Sequence, residues 1–276
     1  MNIMRRVFLR LLGVSIVSSL ALFIGAPFLV YRRSATSRRK EDEGVIYTPR
    51  NGLRIVLPLP RLRGAISLEE AIANRRSIRE YLDEPIALDQ LSQVLWAAQG
   101  ITETRYGFRA APSAGATYPL EIYAVVAPRG VAYRDGFLDP GSYKYLPHSH
   151  ELLLVKKGDL VSQLYRAAIE QEWVREAPVN LVITAVYERT TKRYGSRGIR
   201  YVHMEAGHAG QNIYLQATAI GLATVAIGAF IDEDVRRIIG ASEKEHPLYI
   251  MPLAKPRSIY RLEEDKFIEY IQINRK

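Results

Sequence analysis

Apolar positions recur along the chain at two spacings, and the spacings predict its elements. Leu68, Ala71 and Ile72 give one side of a helix that opens at Ser67, where Ser67 and Glu70 form a capping-box pattern. Leu88, Leu91, Leu95 and Ala98 repeat at three- and four-residue steps and predict a second helix, stopped at Gly100. Leu160, Leu164 and Ala168 predict a third. Residues 201–220 read as a long helix rich in small side chains and ended by Gly221; a short helix follows from Asp232 to Gly240. Continuous apolar runs at 121–127, 179–187 and 248–253, and after Gly221 as far as Ala229, read as strands. Residues 128–157 carry Gly and Pro punctuation and read as a hairpin or cover, and residues 267–273 as a further strand beyond the core.

Ahead of this pattern, residues 11–31 run 21 positions without a charge. As a helix that run is about 31 Å long, enough for a hydrocarbon core of about 30 Å. The preceding Arg5-Arg6-Val7-Phe8-Leu9-Arg10 resembles a twin-arginine export signal; an ordinary signal-anchor with paired arginines is the other reading. Pro27 directly follows the small pair Gly25-Ala26, which disfavours cleavage, so a retained anchor is expected. Five basic residues follow the run and three precede it, so the positive-inside rule places the domain in the cytoplasm and the export motif places it outside. Residues 32–64, with Pro49, Gly52, Pro58, Pro60 and Gly64, read as a linker. The expected divisions are 1–31 anchor, 32–64 linker, 65–256 globular domain and 257–276 C-terminal extension.

Charge adds one exclusion. Of 38 Lys and Arg, eight lie in residues 1–40 with no Asp or Glu beside them, leaving 30 basic against 29 acidic residues in the remainder. The net charge of +9 therefore belongs to the tail, where it suits an anionic membrane surface, and no nucleic-acid partner is expected. The absence of cysteine excludes disulfides, thiolate metal sites and a thiol nucleophile. No His-Glu-x-x-His pattern is present, so no metal site is expected, and His148 and His150 read as solvated loop residues. No Gly-x-Gly-x-x-Gly or phosphate-loop motif appears either.

Three segments carry candidate chemistry. Arg75-Arg76-Ser77-Ile78-Arg79 gathers guanidinium groups and a hydroxyl suited to a dianionic phosphate, although arginines closing a helix also offset its dipole by about 0.3–1 kcal/mol. Residues 111–119 form a small-residue loop with Pro112 and Pro119, where backbone can approach a flat ring closely. Residues 221–230 are an apolar run ending in Gly228 and Ala229, whose N–H groups are free to face a ring edge.

In their order these segments resemble the nitroreductase superfamily. Leu95-Trp96-Ala97-Ala98-Gln99-Gly100-Ile101-Thr102, Arg193-Tyr194-Gly195-Ser196-Arg197 and Glu205-Ala206-Gly207-His208-Ala209-Gly210-Gln211-Asn212 narrow it to the SagB/ThcOx-type dehydrogenase branch. The resemblance covers roughly residues 65–256. It implies an α+β fold with a mainly antiparallel central sheet flanked by helices, FMN as cofactor, and a homodimer with flavin at the seam. It also implies hydride transfer at the flavin's central-ring nitrogen to or from a small molecule. By the same resemblance Arg75, Ser77 and Arg79 contact the phosphate or ribityl chain, with Arg76 close to the ring. Pro112, Ser113, Ala114 and Gly115 lie along the flavin, and Gly228 and Ala229 bond its edge. An Asn common in many nitroreductases is replaced by Ala116, a branch character. NAD(P)H can serve as donor, because these enzymes need no Rossmann domain for it.

SagB-type enzymes oxidise peptide azolines to azoles, and a Lys-Tyr pair is associated with that step. Here Arg193-Tyr194 stands at the matching place. Arginine is a poor general base, which leaves Tyr194 as the group that donates or relays a proton. The azole activity is therefore an alternative to a general FMN oxidoreductase. A second alternative is a catalytically silent, membrane-tethered binding or assembly subunit, against which the intact arginine cluster argues.

Overall fold

The computed structural model describes residues 46–47 and 52–275. The candidate anchor, its arginine motif and the remaining linker positions before 52 lie outside the described residues. Among the described residues no helix is long and apolar enough to cross a membrane.

In chain order the elements begin with β1 (Ile46–Tyr47), β2 (Arg54–Val56), α1 (Leu68–Asn74), β3 (Ile86–Ala87), α2 (Leu88–Gln99), β4 (Ile101–Glu103) and β5 (Phe108–Arg109). A 3-10 turn at Ala114–Ala116 leads into β6 (Leu120–Val126), followed by β7 (Val131–Tyr133), β8 (Gly136–Phe137), β9 (Gly141–Leu146) and β10 (Glu151–Lys157). Then come α3 (Val161–Ala167), α4 (Glu172–Glu176), β11 (Val179–Ala185), α5 (Glu188–Tyr194) and α6 (Arg197–Ala219). The chain closes with β12 (Ala223–Thr224), α7 (Asp232–Ile239), β13 (His246–Ala254) and α8 (Glu264–Asn274). As its sequence suggests, α1 is capped by Ser67, whose Oγ accepts the Glu70 N–H at 3.0 Å. Gly240, at φ 72°, ends α7 in the left-handed conformation that suits glycine.

Eight strands form one antiparallel sheet in the order β1-β2-β10-β9-β6-β11-β13-β12. At its centre β6 and β11 pair from Val126 opposite Val179 to Leu120 opposite Ala185. Every residue of β11 is buried, because both faces are covered. Leu181 and Ile183 join a core with Leu91 and Leu95 of α2 and with Val202, Ala206, Ala209 and Ile213 of α6. Val182, pointing the other way, packs with Leu164 of α3, Val174 of α4 and Val235 of α7. The fold is therefore α+β, with an antiparallel sheet between helical layers.

Several expectations change. Of the two readings of residues 128–157 the hairpin holds and the cover does not, since β9 and β10 pair antiparallel as integral sheet strands. The segment read as linker contributes β1 and β2 to the same sheet. After Gly221 the ladder lasts only two residues, because the Ala226 N–H is taken by the Tyr214 hydroxyl at 2.7 Å; contact with β13 resumes as a single bridge, Ile227 to Ile250. The expected strand at 267–273 is helical in α8, where Glu264 and Asp265 in the first turn favour a helix start. His150 is no solvated loop residue: its Nδ1 lies 2.9 Å from Tyr145 Oη and its Nε2 3.0 Å from the Pro58 carbonyl. Finally, α6 begins at Arg197, and its small residues Ala206, Ala209, Gly210 and Ala217 are buried within their own chain. Its opposite face, with Met204, Gly207, His208 and Gln211, is exposed.

Candidate active site

The first and third sequence segments meet on Tyr214 of α6. Arg75 closes α1 through its N–H to the Ala71 carbonyl at 3.0 Å, and its guanidinium lies 5.0 Å from the Tyr214 ring centre. Ser77 Oγ stands 2.8 Å from Tyr214 Oη, the oxygen that also accepts the Ala226 N–H. The Ile78 N–H to the Thr224 carbonyl, at 3.1 Å, holds the arginine segment alongside β12. Arg79 is exposed, with its guanidinium 5.2 Å from the Trp173 ring centre. Arg76 is differently employed. It donates to the carbonyls of Ala73 and Arg75 at 3.0 and 2.7 Å and lies 3.7 Å from the Tyr260 ring centre, so it answers the end of α1 and anchors the C-terminal segment. Gly228 and Ala229 are exposed, and a side chain built on Gly228 meets nothing within 4 Å.

The second segment is a strained loop. Gly115, Ala116 and Tyr118 all have positive φ, at 61°, 53° and 44°. For Ala and Tyr such a backbone costs about 1–2 kcal/mol per residue, so their surroundings must impose it. Two residues of α5 do so from one side: Arg193 Nη1 donates to the Gly115 carbonyl at 3.2 Å, and Thr190 Oγ1 lies 2.8 Å from Thr117 Oγ1. Tyr194 fits against Gly115 so closely that an added Cβ there would sit 2.5 Å from its hydroxyl. The Tyr194 ring meets Tyr201 edge to face at 5.2 Å. Pro112 is exposed, whereas Ser113 and Ala114 are half-buried.

On the loop's inner side, Ser113 Oγ accepts the Tyr118 N–H at 2.9 Å. Beneath it lies a buried polar cluster of Gln99, Arg109 and Glu205. Arg109 donates to Gln99 Oε1 at 3.1 Å, and its N–H to Tyr118 Oη at 3.1 Å. Burial pushes the Glu205 carboxyl up to about 7, against the opposing effects of Ser113, Arg109 and Gln99. Burial also lowers the Arg109 guanidinium from its ordinary value. Neither Glu205 nor Tyr214 was a candidate from sequence. Glu205 had a signal, a carboxylate in phase with Val202, Ala209 and Ile213 on an apolar helix face. Tyr214 had none, because its partners Ser77 and Ala226 are remote or unremarkable in sequence.

The structure thus joins Arg75, Ser77, Ala226 and Tyr214 into one cluster. It joins Ser113, Gly115, Arg193 and Tyr194 into a second. Glu205 and Tyr214, which serve the two, are nine residues apart on α6, about 14 Å along its axis. Among the described residues no group of three or more His, Asp or Glu could hold a metal ion.

Residues 72–255 match the model of the nitroreductase family. A protein of Methanocaldococcus jannaschii, provisionally named a nitroreductase, is 47% identical over 190 residues, which is 69% of this chain and 91% of that one. Among solved structures, a provisionally named nitroreductase from Ralstonia eutropha superposes with a TM-score of 0.64 at 29% identity, covering 74% of this chain and 90% of its own. The Escherichia coli microcin synthetase complex, solved with a truncated precursor peptide, contains a chain matching at a TM-score of 0.59. That match covers 85% of this chain and 82% of the other; at 21% identity it is a likeness of fold alone.

Proposed function

The chain belongs to the nitroreductase family, and from that premise we propose that it is an FMN-dependent oxidoreductase acting on a small molecule. The observation that carries this reading is the Ser77–Tyr214–Ala226 junction, which sets the arginine segment beside the run that ends in Gly228 and Ala229. The donor set fits the cofactor. Arg75, Ser77 and Arg79 offer charged and hydroxyl donors to a phosphate, and the open Gly228 and Ala229 offer backbone N–H groups to a ring edge. Pro112, Ser113, Ala114 and Gly115 would lie along the ring. When bound, FMN supplies two-electron hydride chemistry, with NAD(P)H as the donor class.

This chain's own contribution is orientation and proton handling. Arg193 holds the Gly115 carbonyl, and Tyr194, packed on the same glycine, is placed to give or take a substrate proton at its hydroxyl. Arg76 supports the site by closing α1. The two residue clusters, at different heights on α6, suit a homodimer in which each flavin is completed across the seam, formed by the exposed α6 face. Residues 11–31 would hold the domain at a membrane, with the twin-arginine-like motif directing export. Deleting residues 1–40 tests that division, since it should release a soluble, yellow domain.

A second reading, oxidation of a peptide azoline, is favoured by Tyr194 lying on the loop; Arg193 in place of lysine weighs against it. The test of the main reading is the purified protein itself. It should be yellow with a flavin spectrum, and Arg75→Ala/Arg79→Ala should lose the flavin, each lost charged hydrogen bond costing about 1.5–3 kcal/mol. Full flavin retention in that double variant would defeat the assignment.

A further inference from the structure

Three residues of α5 meet the loop in reverse order. Arg189 Nη1 donates to the Tyr118 carbonyl at 3.0 Å, Thr190 Oγ1 lies 2.8 Å from Thr117 Oγ1, and Arg193 Nη1 donates to the Gly115 carbonyl at 3.2 Å. The Thr117 hydroxyl gives its own proton to the Ala114 carbonyl at 3.0 Å, so Thr190 is the donor between the two threonines. Arg189 differs from its neighbours in being held as well as holding. Its second terminal nitrogen is paired with Glu121 near the start of β6, and Glu121 Oε2 lies 3.4 Å from Lys144 Nζ of β9. Lys144 donates to Glu245 Oε1 at 3.1 Å, while Glu245 Oε2 accepts from Tyr123 Oη at 2.9 Å and from Thr184 Oγ1 at 3.0 Å. The charges alternate along this chain, which runs from the loop to a buried carboxylate on the central strands.

Ion pairs drawn this far out of water add little net stability, because desolvation offsets their attraction. What they fix is direction. The planar Arg189 fork has one nitrogen on the strand and the other on the loop, so a single rigid group sets the Tyr118 carbonyl relative to β6. Tyr118 needs such a hold. Thr117 before it is right-handed at φ −80°, and Tyr118 itself, at φ 44°, is the last left-handed residue of the loop, so the backbone changes hand between them. Its N–H is taken by Ser113 Oγ and its hydroxyl by the Arg109 N–H, which leaves the carbonyl for Arg189. We propose that Arg189 is a positioning residue of this loop: aimed by Glu121, it fixes the Tyr118 carbonyl and with it the left-handed bend between Gly115, on which Tyr194 packs, and the start of β6. Its effect on turnover rests on the proposed function, but the positioning itself does not.

Tyr118 is the one tyrosine of the chain that is followed by proline. Labelling tyrosine with carbon-13 at its carbonyl and proline with nitrogen-15 therefore gives the Tyr118 carbonyl as a single nitrogen-split resonance in the full-length, flavin-free protein. A hydrogen bond deshields that carbon, so Arg189→Met should move the resonance upfield. Glu121→Leu, which removes the group that aims the guanidinium, should move it the same way, and the two substitutions together no further than Arg189→Met alone. Arg175→Met removes an exposed pair with Glu172 instead and should leave the resonance in place. An unmoved resonance in Arg189→Met, or an equal move in Arg175→Met, would overturn the proposal. Should Arg189→Met not fold, Glu121→Leu decides by the same signal. Where flavin binds, Arg189→Met should also lower turnover about tenfold, as a misplaced loop would; unchanged turnover would overturn its part in the reaction. A wild-type protein that binds no flavin defeats the proposed function, while the carbonyl resonance still decides on Arg189.

Discussion

Ser77 Oγ and Tyr214 Oη stand 2.8 Å apart although 137 residues separate them in the chain. The contact binds the segment after α1 to the C-terminal third of the long helix α6. Because the same phenol accepts the Ala226 N–H, one oxygen also fixes the chain leading to Gly228 and Ala229. Two candidate binding segments are thus oriented by a side chain that belongs to neither.

Tyr214→Phe should separate that orientation from packing. The ring remains beneath Arg75, but the Ala226 N–H loses its acceptor, at about 1–3 kcal/mol. Urea unfolding should show the loss, and FMN affinity should fall with it. Unchanged stability and affinity would remove Tyr214 from the site.

Gly115→Ala should fail for two independent reasons. Its φ of 61° disfavours a side chain, and the new Cβ would lie 2.5 Å from Tyr194 Oη and 2.9 Å from Arg193 Nη1. The expected cost is about 1–3 kcal/mol, with both α5 side chains displaced. Turnover should drop more than stability does. Combining it with Tyr194→Phe, which removes the clashing oxygen, should recover part of the stability but not the turnover.

The layers were legible because their signals are local. The stripe Leu88, Leu91, Leu95 and Ala98 marks α2, and the unbroken apolar run at 179–185 marks β11 as covered on both faces. The same logic misled at 267–273, where Phe267, Ile268, Tyr270 and Ile271 satisfy either period and none of the helix's residues is buried; the acidic first turn favours the helix. In the site, Arg75, Ser77 and Gly115 stood out by residue type. Arg76 stood out equally, yet much of its bonding goes to helix-end carbonyls. Tyr214 was silent because its partners are brought close only by folding, whereas Glu205 was marked by a carboxylate on an apolar helix face.

The homodimer proposal puts Gly207 at the seam. It lies on the exposed face of α6, and an added side chain there meets nothing within 4 Å in its own chain. Gly207→Trp should therefore leave the monomer folded while blocking close approach of a second helix. Light scattering should show half the wild-type mass, and flavin occupancy should fall. A dimer with normal flavin would place the seam elsewhere.

Two buried groups should act on stability in opposite directions over the same range, below neutrality. The folded state raises the Glu205 carboxyl from 4.5 to about 7, so it binds this proton more tightly than the unfolded chain does. That contribution is full below pH about 4.5 and lost as pH rises through about 7, by at most about 3 kcal/mol. His150 works in the opposite direction. Burial holds its imidazole below the usual 6.5, only partly offset by the Pro58 carbonyl, so the folded state prefers it neutral. An Nε2–H given to Pro58 leaves Nδ1 to accept from Tyr145, and protonation would remove that acceptor. Its stabilising effect is present above pH about 6.5 and fades as pH falls. Urea unfolding of the flavin-free protein from pH 5 to 9 should then give a different answer for each variant. Glu205→Gln should lose the decline between pH about 4.5 and about 7 and exceed wild type above pH about 7. His150→Gln should leave the Glu205 effect unopposed, so that stability rises as pH falls below about 7, from a lower level because the hydrogen bonds to Pro58 and Tyr145 are weakened. A pH dependence of stability between about 5 and about 7 that is the same in Glu205→Gln as in wild type would show that the buried carboxyl contributes nothing to it.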